Sequence, residues 1–154
     1  MDMDSADEPW CSIERSLRVL EPRWTLLIVR EIFAGKHRFT EIQASLGISS
    51  NLLSVRLKAL IDIGVLDKLT YREPGSRPRD GYHLTPAGEE LLIILGALQQ
   101  WGDRHRPHPA GPARLRRERA TGNPVHIGFI VGTDGREIPW DEVEFLHPFD
   151  APDV

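Results

Sequence analysis

The sequence predicts an α+β fold that is mainly α: a winged helix-turn-helix with a C-terminal dimerisation helix and an extra C-terminal β-hairpin tail. Three observations predict it. A short helical pattern, a tight turn at Gly47 and a longer helical pattern follow one another. Two β-type segments joined by a loop rich in Pro and Gly come next, and a long amphipathic helix follows them. Helix, turn, helix and hairpin in this order are typical of a winged DNA-binding domain.

The first two helices are predicted from apolar spacing. Ser12 is a candidate N-cap, and the first apolar stripe consists of Ile13, Leu17 and Leu20. The second stripe consists of Trp24, Leu27, Ile28 and Ile32, and Gly35 is expected to end that helix. Residues three and four apart share one face of a helix, so each stripe predicts one buried side.

The helix-turn-helix itself is predicted between residues 40 and 64. Thr40 with Gln43 has the spacing of a capping box, and Gly47 is a natural stop for the short helix. Ser49 is the expected N-cap of the longer helix. The apolar stripe of that helix is Leu53, Leu57, Leu60 and Ile61, with Gly64 at its end.

A wing and a long helix are predicted after it. Residues 65–72 and 82–85 have β-type composition, and the loop between them contains Pro, Gly and Arg. Thr85 is expected to cap the long helix, with Pro86 at its first position. Its apolar face is Leu91, Ile94, Leu95, Leu98 and Trp101.

We therefore expect four segments. Residues 1–10 are a disordered acidic leader, and residues 11–104 are the winged helix-turn-helix domain. Residues 105–124 are a linker rich in Pro and Arg, and residues 125–154 form a β-hairpin extension. An isolated hairpin is marginally stable in water, so we expect this one to pack on another element.

Charge and composition limit the functions to consider. The net charge of −4 has the wrong sign for DNA binding, but residues 11–104 carry thirteen Lys or Arg against eleven acids. A single cysteine excludes an intrachain disulfide, and no nucleophile elbow or phosphate-binding glycine loop is present. We expect no enzyme activity, no cofactor and no metal. The acidic N-terminus lacks a signal-peptide pattern, and the longest apolar stretch is too short to span a bilayer, so we expect a cytoplasmic protein with no membrane partner.

Four motifs follow one another along the chain: CSI at 11–13; WTLLIVRE at 24–31 with Gly35 and RF at 38–39; GIS at 47–49 with LLSVRLKAL at 52–60 and Gly64; and YHLTPAG at 82–88 with WG at 101–102. Together they resemble the HxlR family of bacterial winged helix-turn-helix regulators. The resemblance covers residues 11–104. It departs at EPR in 21–23, where the family usually has Gly and Lys, and in a longer, more basic wing. It implies a dimeric, DNA-binding transcriptional regulator, either repressor or activator.

The candidate DNA-binding residues lie on the longer helix, on the wing and before the short helix. They are Arg38, Ser49, Ser50, Asn51, Ser54, Val55, Lys58, Arg72, Arg77 and Arg79. Asn can pair with adenine, Val can contact a thymine methyl, and Lys or Arg can contact phosphate. We expect double-stranded DNA with a pseudo-palindromic operator as the partner, because two half-sites supply the specificity that one helix lacks.

Dimerisation is expected through two apolar faces, a surface that the resemblance also implies. The candidate residues are Ile13, Leu17, Leu91, Leu95, Leu98 and Trp101. Cys11, at a helix start, is a candidate redox site, because some members of the resembling family sense oxidants through a cysteine there. Two alternatives stay open: a sensor that releases DNA through Cys11 or through a small-molecule effector in a dimer crevice, and a winged-helix protein-interaction module without DNA binding.

Overall fold

The computed structural model describes residues 9–72, 74–75 and 79–146. Most of the leader predicted at residues 1–10 lies outside these residues. The helices are α1 Ser12–Leu20, α2 Trp24–Phe33, α3 Phe39–Leu46, α4 Ser50–Asp62 and α5 Pro86–His105. The strands are β1 Leu66–Tyr71, β2 Arg79–Leu84, β3 Phe129–Ile130 and β4 Glu137–Ile138, and a short 3-10 helix covers Trp140–Glu142. The predicted fold class, mainly helical with small antiparallel sheets, is confirmed.

The chain divides into two compact units, residues 1–95 and 96–154. The division falls inside α5, whereas the sequence placed a domain boundary at 104. No helix among the described residues is long and apolar enough to cross a membrane.

The core of the first unit is built by α2 and α4. Its α2 members are Ile28, Val29 and Ile32, and its α4 members are Leu53, Leu57 and Leu60. Ile42, Ile48, Val65, Leu66 and Tyr82 complete the buried cluster. The apolar stripes of α2 and α4 mark the buried sides of these helices, as predicted, because both stripes pack into the same core.

The helix termini agree with the sequence in two cases and disagree in two. Ser49 Oγ accepts a hydrogen bond from the Leu52 N–H at 3.4 Å, and Thr85 Oγ1 accepts one from the Gly88 N–H at 3.2 Å. However, α3 begins at Phe39, and the capping interaction comes from Glu41, not from Thr40 with Gln43. Helix α1 likewise includes Ser12, and its N-cap position is Cys11.

The wing is an antiparallel pair in which Leu66 faces Leu84 and Tyr71 faces Arg79. Strand β2 starts three residues earlier than predicted. Asp80 is accommodated at its start because Lys68 Nζ lies 2.8 Å away and Thr70 Oγ1 donates to the carboxylate at 3.0 Å. An isolated bridge between Arg38 and Gly81 joins the wing to the residue before α3.

Helix α5 starts in close contact with the end of α4. Thr85 Oγ1 also donates to the carbonyl of Gly64 at 2.5 Å. At Gly88 a Cβ would lie 2.2 Å from the carbonyl oxygen of Val65, so only glycine permits this approach. Helix α5 thus starts against the backbone at the beginning of the wing.

The second unit contains the predicted tail hairpin, in which Phe129 pairs with Ile138 and Ile130 with Glu137. Each paired strand is two residues long, within the extension predicted at residues 125–154. The Gln100 side-chain amide holds the chain at Ile127: its Nε2 donates to the Ile127 carbonyl at 2.9 Å, and its Oε1 accepts from the Ile127 N–H at 2.9 Å. No hydrophobic side chain among residues 96–146 is buried.

Candidate nucleic-acid interface

The exposed face of α4 carries half of the residues predicted to contact DNA. Its buried face is fixed by Leu53, Leu57 and Leu60. The opposite face is exposed and consists of Ser50, Asn51, Ser54, Val55 and Lys58. Val55 is 59 % exposed, so its methyl groups are accessible to a partner. One helix therefore presents two hydroxyls, an amide, an apolar side chain and an ammonium to solvent.

The N-terminus of α4 is held by hydroxyl contacts. Ser49 is the N-cap, so its hydroxyl already accepts a backbone hydrogen bond. Ser50 Oγ accepts from Gln43 Nε2 at 2.7 Å, which ties α3 to α4 across the turn. Gln43 was missed as a site residue because the sequence assigned it to a capping box within α3. Its position opposite Ser50 depends on the angle between the helices, which periodicity does not give.

Lys58 lies one turn before the C-terminus of α4 and pairs with Asp62, Nζ to Oδ2 at 2.5 Å. Both side chains are exposed. An exposed ion pair of this kind contributes about 0.5 kcal/mol or less. A phosphate oxygen can therefore replace Asp62 as the partner of Lys58 at small cost.

The wing presents arginine on either side of its loop. Arg72 directly follows β1 and Arg79 begins β2, and both are exposed. Arg77 lies outside the described residues. The pair of Lys68 and Asp80 fixes the strands next to these arginines, and the hydrogen bond from Lys68 lowers the pKa of the Asp80 carboxyl.

Arg38 contacts the wing, although the sequence suggested a position facing the DNA backbone. Its guanidinium lies over the ring of Tyr71, 5.5 Å from the centroid, and its Nε lies 4.0 Å from a Glu41 carboxylate oxygen. The Arg38 side chain is 38 % exposed, so it is only partly open to solvent. The sequence could not show this contact, since Tyr71 is far along the chain and is reached only once the wing has folded.

His37 also joins the wing to the residues just before α3. The Tyr82 N–H donates to the His37 carbonyl at 2.8 Å, and the His37 ring Nδ1 donates to the Tyr82 carbonyl at 2.9 Å. The ring also stacks on His83, with centroids 4.4 Å apart. The wing and the start of α3 are therefore joined by backbone and side-chain contacts together.

A buried carboxylate positions α3 against α2. Glu31 is 3 % exposed and accepts hydrogen bonds from Lys36 Nζ, from Ser45 Oγ at 2.7 Å and from the Arg30 guanidinium at 2.6 Å. Burial by itself raises the pKa of Glu31, but these hydrogen bonds outweigh it and hold the pKa at about 2. The carboxylate is therefore ionised at neutral pH and links α2, the loop after it and the C-terminal end of α3.

The residues expected at a dimer interface fall into two groups. Ile13 and Leu17 of α1 are exposed, as are Leu98 and Trp101 in the second unit. Leu91 and Leu95 are half-buried and pack against the core of the first unit. Leu92 and Ile93, which the sequence did not select, are exposed instead.

Cys11 is exposed and free. The Arg15 guanidinium, from the first turn of α1, donates to the carbonyls of Pro9 and Trp10 at 2.8 and 2.6 Å. No group of three or more His, Cys, Asp or Glu that could hold a metal occurs within the described parts of the chain. Redox sensing at Cys11 stays a prediction.

Comparison with known proteins agrees with this geometry. The HTH-type transcriptional regulator Rv3095 of Mycobacterium tuberculosis is 38 % identical over 127 residues, which covers 82 % of this chain and 79 % of the relative. The crystal structure of PA1607, a candidate transcription factor, superposes with a TM-score of 0.77 at 32 % identity and covers 93 % of this chain and 99 % of that one. PA1374, a candidate transcription factor of Pseudomonas aeruginosa, gives a TM-score of 0.62 at 33 % identity, covering 93 % and 96 %.

The sequence profile of the HxlR-like helix-turn-helix family matches residues 19–109. That range includes α2, both helices of the helix-turn-helix, the wing and α5. The chain belongs to the HxlR-like family of helix-turn-helix transcriptional regulators.

Proposed function

We propose that this transcriptional regulator binds duplex DNA sequence-specifically by inserting α4 into the major groove. The observation that carries the proposal is the division of α4 into a buried leucine face and an exposed face of Asn51, Ser54, Val55 and Lys58. A recognition helix needs such a face, because side chains must reach base edges without disturbing the core. The second alternative, an interaction module without DNA binding, gives no reason for this polar set.

The side chains of α4 have different roles in this proposal. Asn51 in the first turn offers a donor and an acceptor, which suit adenine, and Val55 one turn later suits a thymine methyl. Ser50 and Ser54 donate to bases or phosphates. Lys58, farther from the N-terminus, exchanges Asp62 for a phosphate.

The wing contributes contacts to the adjacent backbone or minor groove. Arg72, Arg77 and Arg79 supply the charge, and a narrow minor groove attracts arginine. Arg38 positions the wing for this contact, because its guanidinium stacks on Tyr71 at the end of β1. We therefore assign Arg38 to positioning the wing as well as to phosphate contact.

A homodimer reading two half-sites completes the proposal. Helix α1 has no buried residue, and its stripe of Ile13 and Leu17 is open to solvent. In the second unit Leu98 and Trp101 are exposed, and residues 96–146 have no hydrophobic side chain buried. Apolar surface of this extent is expected to be covered by a second copy.

Fluorescence anisotropy with duplexes that tile the DNA upstream of the protein's own gene tests the proposal. We expect one duplex to bind at least about a thousandfold more tightly than a shuffled duplex of the same composition, since specific binding typically exceeds non-specific binding by about 10³ or more. Asn51→Ala should reduce that ratio, while Glu90→Gln on the exposed side of α5 should leave it unchanged. Equal affinity for all duplexes would refute sequence-specific binding.

A further inference from the structure

A closed turn rich in arginine lies in the second unit, in the stretch predicted to be a linker. We call residues 114–125 the arginine turn. Arg117 and Pro124 form an antiparallel bridge, and the Glu118 N–H donates to the Asn123 carbonyl at 2.8 Å. Gly122 closes the turn with a φ of +74°. The backbone is thus ordered by its own hydrogen bonds.

Within the second unit the arginine turn is fixed to α5. The Arg116 guanidinium donates to the Gly96 carbonyl at 3.0 Å and to Gln100 Oε1 at 3.4 Å. Gln99 Nε2 donates to the Arg114 carbonyl at 2.6 Å. One arginine of the run therefore serves as an anchor, and the others are carried by a positioned backbone.

Three arginines of the turn are left over by these contacts. Arg114, Arg117 and Arg119 are exposed, and none of them makes an ion pair with a described residue. The one acid of the turn, Glu118, accepts a hydrogen bond from Thr121 Oγ1. Residues 104–119 contain six arginines against this single glutamate. The charge is therefore concentrated and not neutralised locally.

We propose that the arginine turn is a second, sequence-independent contact of this protein with the DNA phosphate backbone. The proposal rests on the DNA-binding function proposed above. The guanidinium fork matches two phosphate oxygens, and an ordered backbone loses less entropy on binding than a flexible tail. The winged domain carries only thirteen Lys or Arg against eleven acids, so it supplies little long-range attraction of its own. The arginine turn adds a local cluster of four arginines against one glutamate.

Salt dependence measures this contact directly. Each phosphate contact adds about 0.9 to the slope of log K against log salt. The triple variant Arg114→Gln, Arg117→Gln, Arg119→Gln of the full chain should lower that slope by about 2 to 3 per protomer. The loss should be equal on an operator duplex and on a random-sequence duplex, so their affinity ratio stays constant. Arg117→Lys keeps the charge and should keep the slope.

The matched control is Arg136→Gln, in the same unit but outside the arginine turn, whose guanidinium Nε lies 3.6 Å from Asp134 Oδ2. It should leave the slope unchanged. Circular dichroism and sedimentation equilibrium confirm that each variant is folded and has the same oligomeric state. An unchanged slope in the triple variant overturns the proposal, as does a change in oligomeric state, which would assign the arginines to a protein contact.

The two proposals fail in different ways. A wild-type protein with a steep salt slope, lowered by the triple variant, but with no preferred duplex supports the arginine turn and refutes sequence-specific recognition. If the protein binds one operator specifically, and the salt slope depends on Lys58 and the wing but not on the arginine turn, then sequence-specific recognition is supported and the arginine-turn contact is refuted. Absence of binding to every duplex refutes both.

Discussion

Removing the charge of Glu31 should destabilise the protein by a few kcal/mol. The pKa of this carboxyl falls from its ordinary value of 4.5 to about 2 in the folded state. A difference of about 2.5 in pKa corresponds to about 3 kcal/mol, since each unit is worth about 1.4 kcal/mol. Glu31→Gln keeps the size and one acceptor oxygen but leaves Lys36 and Arg30 without their carboxylate. We therefore expect a loss of about 2 to 3 kcal/mol at pH 7.

The loss should depend on pH in a defined direction. The folded-state pKa of Glu31 lies below its unfolded value, so its stabilising contribution is complete above about pH 4.5. The contribution decreases as the pH falls toward about 2. Other carboxyls also titrate in this range, but they are common to wild type and variant. The difference between the two proteins should therefore shrink from pH 5 downwards.

Urea denaturation followed by circular dichroism at neutral and acid pH measures this difference. The control is Glu90→Gln, an exposed acid on α5, which should change the free energy of unfolding by less than about 0.5 kcal/mol. A loss below about 1 kcal/mol for Glu31→Gln at pH 7 would refute the reasoning. So would a difference that stays constant from pH 5 to pH 3.

Three further changes have definite expected outcomes. Asn51→Ala should reduce the binding free energy for the preferred duplex by about 1 to 3 kcal/mol and relax specificity at one base position. Lys58→Ala should instead weaken binding to all duplexes and lower the salt slope by about 1. Fluorescence anisotropy on single-base variants of the duplex distinguishes the two, and identical profiles would contradict the assigned roles. Gly88→Ala should destabilise the folded protein by about 1 to 3 kcal/mol, because the new Cβ would lie 2.2 Å from the Val65 carbonyl oxygen. The control Gly102→Ala, whose Cβ would have nothing within 4 Å, should be neutral or stabilising by up to about 1 kcal/mol. Thermal unfolding measures both variants, and equal effects would contradict the argument. Leu98→Asp should weaken the proposed dimer without unfolding the protein, because the Leu98 side chain is exposed. Sedimentation equilibrium would show this as a larger fraction of monomer. An unchanged association constant would place the interface elsewhere.

Much of the fold was predictable because its signals are local. The leucine spacing of α4, the glycine stops and the Thr85 cap before Pro86 each act within one turn of chain. The start of α3 was predicted wrongly for a physical reason. The residues before it are extended because Arg38 bridges to Gly81, and the Glu41 carboxylate accepts from the N–H groups of His37 and Arg38. A contact of that sequence separation has no local signature.

The candidate site was predictable where it depends on helix periodicity and unpredictable where it depends on packing between elements. The exposed face of α4 follows from its buried face. The contact of Gln43 with Ser50 and the stacking of Arg38 on Tyr71 require the angles between elements. Glu31 follows the same rule, because a charged residue on a buried helix face was not expected until Lys36 and Ser45 were found beside it.

The wing is anchored at its base by His37 and Arg38, while the described loop residues Arg72, Pro74 and Gly75 are exposed. Doubling the length of such a loop costs only about 0.6 kcal/mol in closure entropy. Insertions and new side chains between Arg72 and Arg79 therefore leave the stability of the domain nearly unchanged. The loop can therefore be lengthened or exchanged while the folded scaffold stays the same, so its part in the proposed DNA contact can be tested separately from stability.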